Sequence, residues 1–235
     1  MLSKYWNEYI LLFLLVMLIA WTCNSDAQTI KVLVIDTGIF EHKDFKSQIV
    51  KHAGYDEDYI DDHGHGTHIA GIVMKNVCPQ VQLSSCKYLI PGIKSEDLMK
   101  RLYNCYNRAI KEKVDIINYS SSGLEPDEKE FELIKRMRNI VFVTSAGNNG
   151  YNLKVKPEFP AMYDLLNVVA VGNLIEKNVR NPMSNYGLKD MEWEVGTNIW
   201  STIPNNQYKF MSGTSQATAT HTNRLLKQRC KELNK

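Results

Sequence analysis

Apolar residues along the chain fall into short unbroken runs separated by stretches with helical spacing. IKVLVID (30–36), VQLSSCKYL (81–89), VDIINYS (114–120), IVFVTSA (140–146) and LNVVAVG (166–172) are mostly apolar at consecutive positions. Strands buried on both faces carry such runs, whereas strands with one wet face alternate. Between them, segments at about 66–76, 95–112 and 126–138 repeat apolar positions every three or four residues, and a last one covers about 215–230. Strand and helix in alternation predict an α/β fold of three layers, a mostly parallel central sheet with helices on both faces. In such sheets chemistry collects at the carboxyl ends of the strands.

The first 27 residues follow a different pattern. Tyr9 to Trp21 is an uncharged run of 13 residues behind Lys4, and Ser25 and Ala27 have the small-x-small form that signal peptidase accepts. The segment reads as a signal peptide, with an uncleaved N-terminal membrane anchor as the competing reading. A spanning helix needs about 20 apolar residues, which the run reaches only if its uncharged extension to Ser25 is included. A lipid on Cys23 is a third reading, against which the bulky Trp21 argues. The expected location is outside the cytoplasm, secreted or periplasmic, with membrane contact only through residues 1–27 if they are retained. Residues 28–235 are long enough for one domain with a sizeable core.

Composition excludes some functions. The chain is 44% hydrophobic and 23% charged with a formal net charge of +2, and its basic residues are interleaved with acidic ones. That is a solvated surface and not a phosphate-binding patch, so nucleic acid is not an expected partner. Four cysteines follow the leader, Cys78, Cys86, Cys105 and Cys230. They permit two disulfides in any of three connectivities, and buried free thiols compete with that reading.

Four polar residues of catalytic type sit at the predicted strand ends or helix starts: Asp36 in VIDTG, His65 in DDHGHGTHIAG, Asn148 in TSAGNNG and Ser215 in SGTSQAT. A serine hydroxyl becomes a nucleophile when a histidine takes its proton, and the histidine needs an acceptor on its other nitrogen. Asp36 supplies that acceptor, while the Ser215 backbone N–H and the Asn148 amide supply donors for an oxyanion. Singly, each has a plainer explanation. Asp36 or Asn148 can shape a turn, Ser215 can cap a helix, and His63, His65 and His68 can together bind a metal.

In combination and in this order, VLVIDTGI, HGTHIAG, SAGNNG and SGTSQAT resemble the motifs of the subtilisin-like serine proteases over about residues 30–230. The resemblance implies a serine endopeptidase that cleaves extended polypeptides through an acyl-enzyme. Asp36, His65 and Ser215 are then catalytic and Asn148 is the oxyanion donor. It also implies that the strand end NYSSSG pairs with the substrate. Ser120, Ser121, Ser122 and Gly123, with Ser145, Ala146 and Gly147, would wall the primary pocket, and Glu158 at its base would favour basic side chains. The alternative is an inactive or regulatory relative that binds peptides.

The departures from the family pattern carry their own expectations. Members usually have a long propeptide, and none is evident between residue 27 and the first catalytic strand. Folding is therefore expected to be unaided, or to need a separate helper or inhibitor. Few residues follow Ser215, and Gln216 and Ala219 replace the methionine and proline common in relatives. Between the histidine helix and the next strand, MKNVCPQVQ is too short for the calcium loop of many relatives, for which Asp44 matches a further ligand. No cofactor, metal ligand or tight calcium site is expected, and weak calcium binding elsewhere is left open.

Overall fold

In the computed structural model, which describes residues 28–50 and 59–233, chain order alternates between strand and helix. The signal peptide or anchor expected over 1–27 lies outside the described residues. The strands are β1 (Ile30–Asp36), β2 (Val81–Lys87), β3 (Ile116–Tyr119), β4 (Val141–Ser145), β5 (Val168–Glu176), β6 (Val179–Arg180) and β7 (Glu192–Val195), with β8 (Ile199–Ile203) and β9 (Gln207–Met211) forming a separate hairpin. The helices are α1 (His65–Val73), α2 (Ser95–Glu112), α3 (Glu128–Arg136) and α4 (Thr214–Leu233), and a 3-10 turn covers Lys46–Gln48.

Strand order in the main sheet runs β2-β1-β3-β4-β5, with β6 and β7 both on β5. Every pairing is parallel except the β5–β6 hairpin. Alternate residues of β1 explain the layers. Val32 and Val34 join Ile69, Val73, Ala217 and Leu226 of α1 and α4 on one face. Leu33 and Ile35 join Leu102, Tyr106, Leu133 and Ile134 of α2 and α3 on the other. Helices thus cover both faces, as the apolar runs require.

The chain leaves β1 toward opposite sides, to β2 on one edge and β3 on the other, which makes the carboxyl ends of β1 and β3 the topological switch point. Ile35 is in register with Tyr119 there, so the next residues, Asp36 at the end of β1 and Ser120 just beyond β3, sit side by side.

Strand β5 begins later than its apolar run suggests. The Asn167 side chain donates to the carbonyls of Ile134, Met137 and Ile140, and Leu166 stays exposed, so the chain enters the sheet only at Val168. The four cysteines pair as Cys78–Cys230 and Cys86–Cys105, which selects one connectivity and removes the free-thiol reading. Among the described residues, no helix is long and apolar enough to cross a membrane.

Candidate active site

Asp36 is 2% exposed at the end of β1. Its Oδ1 accepts from the backbone N–H of Thr37 at 2.8 Å and contacts His65 Nδ1 at 2.7 Å. An ionised carboxylate only accepts, so Nδ1 carries the proton and Nε2 of the neutral ring is free to act as a base. Burial lowers the proton affinity of His65, but the Asp36 charge, the Asp36 hydrogen bond and the more remote charge of Asp61 outweigh it, leaving the pKa above the usual 6.5.

His65 opens α1, where close packing fixes its seat. A side chain on Gly66 would collide with the carbonyl of Gly38 and crowd Cβ of Asp36, so only glycine lets the helix approach the β1 end this closely. Of the other two histidines, His63 lies beside the His65 ring with centroids 6.4 Å apart, and His68 is engaged elsewhere. His68 Nε2 donates to the carbonyls of Ile199 and Lys209, and burial holds its pKa below the ordinary value. With Asp36 engaging His65, the cluster is not arranged as a metal site. Among the described residues, no group of three or more His, Cys, Asp or Glu is placed to hold a metal ion.

Ser215 lies on the first turn of α4, and its hydroxyl donates to the carbonyl of Ser120 at 3.2 Å. The Ser120 hydroxyl returns a bond to the Ser215 carbonyl at 3.2 Å and accepts from Asn118 Nδ2 at 3.0 Å. Thr222, two turns further along α4, donates to Asn118 Oδ1 at 2.9 Å. The serine helix is thereby pinned to the end of β3, one strand from Asp36. Asn148 follows β4 and accepts from Thr214 N at 2.9 Å through Oδ1. Because Thr214 N–H is a donor, the amide oxygen is turned toward it and Nδ2 faces away.

Glu158 is 2% exposed and accepts from Ser122 Oγ (2.6 Å), Asn149 Nδ2 (2.9 Å) and Asn185 Nδ2 (2.8 Å). All three donors are neutral. Asn185 also donates to Ala146 O and accepts from the N–H groups of Asn149 and Tyr151. Gly147 has φ +97°, and a side chain on it would strike Glu158 and Asn185. Ser145 and Ala146 are buried beside it. Gly123 exchanges both backbone hydrogen bonds with Phe159 at 2.8 Å, so its edge is occupied, whereas the segment Ser120–Ser122 ahead of it has no ladder partner among the described residues. Ser121 is half-buried in that segment.

Sequence reasoning assigned no role to Thr37, Asp61 or Asn185, all of which touch this arrangement. Asp61 had a signal, an acidic residue just ahead of a helix. Asn185 had none, since its partners lie about 30 residues away in an irregular loop.

A family model described as the Subtilase family matches residues 27–228. The chain belongs to the subtilase family. It is 34% identical over 224 residues to the minor extracellular protease Epr of Bacillus subtilis (strain 168), a match spanning 89% of this chain and 34% of that protein. It is 33% identical over 220 residues to the major intracellular serine protease of the same organism, spanning 84% and 67%. Among solved structures, a cold adapted subtilisin-like serine proteinase superposes with a TM-score of 0.73 at 24% identity, covering 89% of this chain and 78% of that one. The subtilase chain therefore spans about a third of one curated relative and two thirds of another.

Proposed function

We infer that this subtilase is a serine endopeptidase acting on extended polypeptide segments. The observation that carries this is the Asp36–His65 contact of 2.7 Å beside the strand end that binds Ser215. In this reading Ser215 Oγ attacks the peptide carbonyl carbon while His65 Nε2 takes its proton. Asp36 holds the Nδ1–H throughout. The resulting oxyanion sits against Asn148 Nδ2 and the Ser215 backbone N–H at the start of α4. His65 then passes the proton to the leaving nitrogen, and water repeats the sequence on the acyl-enzyme.

The open edge at Ser120–Ser122 pairs with the substrate main chain, and the pocket walled by Gly123 and Ser145–Gly147 receives the side chain before the cleaved bond. Glu158, whose negative charge meets three neutral donors, favours a basic side chain there. A peptide library cleaved only after large apolar residues would remove that assignment. Export is proposed from the leader and from two disulfides, which persist in oxidising compartments. N-terminal sequencing of the exported protein is expected to begin at Gln28; retention of residues 1–27 would make them an anchor.

Labelling of the full chain with a fluorophosphonate tests the central claim. Stoichiometric modification at Ser215, lost in Ser215→Ala, is expected. A folded protein that stays unlabelled would transfer the reading to peptide binding without catalysis.

A further inference from the structure

Asp61, 2% exposed in the loop ahead of α1, receives five hydrogen bonds. Oδ1 accepts from Thr37 Oγ1 (2.9 Å), His63 N (3.0 Å) and Gly64 N (2.7 Å). Oδ2 accepts from Thr67 N (2.8 Å) and Thr67 Oγ1. Four of the donors belong to the turn and first turn of α1 that carry His65. The fifth, Thr37 Oγ1, also accepts from Gly66 N at 2.9 Å, while the Thr37 backbone N–H holds the Asp36 oxygen that His65 uses.

The Asp36–His65 bond is therefore held from both ends by one buried carboxylate. A helix cap needs no charge, since serine or asparagine serves. Here donors converge on both oxygens, and an asparagine would turn its NH2 against one set. The charge has a second effect. The N-terminus of α1 carries partial positive charge that disfavours protonated His65, and a carboxylate in the cap opposes it.

We propose that Asp61 is a positioning residue of the proteolytic site, a second carboxylate that locks Asp36 and His65 together from behind and keeps negative charge beneath the imidazole. This rests on His65 being the general base. Besides Asp36 from β1, the titratable groups facing His65 are His63 in the same loop, with ring centroids 6.4 Å apart, and His68 one turn along α1. Asp62 is turned outward onto Lys87 at 3.2 Å. A measurement resolved by residue is needed to separate these titrations.

The test is the His65 ring titration by NMR, with the pH dependence of kcat/KM, in full-length wild type, Asp61→Asn, Thr37→Val and Thr37→Ser. In Asp61→Asn the His65 midpoint and the acid limb of kcat/KM are expected to move together to lower pH, with kcat down about 10–100-fold as for a misplaced catalytic group and KM little changed. Thr37→Val cuts the link but keeps the charge, so kcat falls with a smaller midpoint shift, and Thr37→Ser restores it. If Asp61→Asn does not fold, the Thr37 pair decides alone: wild-type kcat in Thr37→Val overturns the proposal. An unmoved His65 midpoint in folded Asp61→Asn also overturns it, leaving Asp61 a plain cap. The titration needs no turnover, so failure of the protease reading appears separately, as a wild type that neither cleaves nor labels.

Discussion

Replacing Cys78 and Cys230 together by alanine is expected to cost more stability than replacing Cys86 and Cys105. The first pair closes a sequence separation of 152 residues and the second a separation of 19. In the chain-entropy treatment, losing such cross-links releases about 5 and about 3 kcal/mol of denatured-state freedom respectively. Domain stabilities run about 5–15 kcal/mol, so the long-range bridge accounts for a third or more of the total. Urea unfolding followed by circular dichroism, with m fitted separately for each variant, reads the difference. Chemistry should be spared, because Ser215 is on the first turn of α4 and Cys230 near its last. The middle of α4 is held independently, by Asn223 Nδ2 donating to the carbonyls of Val73 (2.8 Å) and Lys75 (2.9 Å). Under conditions where the variant is folded, the rate of fluorophosphonate labelling should match wild type. A Cys86/Cys105 variant that is the less stable of the two, or a folded Cys78/Cys230 variant that labels more slowly, would refute this reasoning.

The remaining expectations concern the site. Acidification should abolish kcat/KM as His65 becomes an imidazolium; because its folded pKa is raised, the acid limb should lie above pH 6.5, and a midpoint below that value would contradict the Asp36–His65 pairing. If Asn148 is the oxyanion donor, Asn148→Ala should lower kcat about 10²–10³-fold with KM nearly unchanged; a rise in KM alone would make Asn148 a substrate contact. Gly147→Ala should destabilise the protein by about 1–3 kcal/mol, because alanine would have to adopt φ +97° against Glu158 and Asn185; wild-type thermal stability would count against the pocket geometry.

The parts legible in the sequence were those encoded locally. β1, β3, β4 and the start of β5 are short apolar runs, β2 is more polar (VQLSSCK), and Ser95–Glu112 has the helical period from end to end. Asp36, His65, Asn148 and Ser215 could be singled out because each lies at or just beyond a strand end or in the first turn of a helix. The β8–β9 hairpin was not anticipated. Its partly exposed strands carry Trp200, Tyr208 and Phe210 without an apolar run, and its turn rests on Asn205 and Asn206 at positive φ, a signal that went unread. Cysteine pairing was undetermined because it depends on which helix packs on which face of the sheet. The Gly123–Phe159 backbone pairing was likewise not legible, because it joins Gly123 to a loop 36 residues away with no period to betray it.

The hydrogen bonds around Glu158 also bear on how side-chain preference can change. Ser122, Asn149 and Asn185 all aim donors at one carboxylate, and Asn185 in turn fixes the backbone at Ala146, Asn149 and Tyr151. Exchanging Glu158 for an apolar residue would remove the acceptor of three donors, of which Asn185 is fully buried and could not turn to water instead. If Glu158 sets the preference as proposed, that preference is a trait of four residues inherited together, and a lineage or an engineer seeking a new one must replace several of them at once or pass through less stable intermediates.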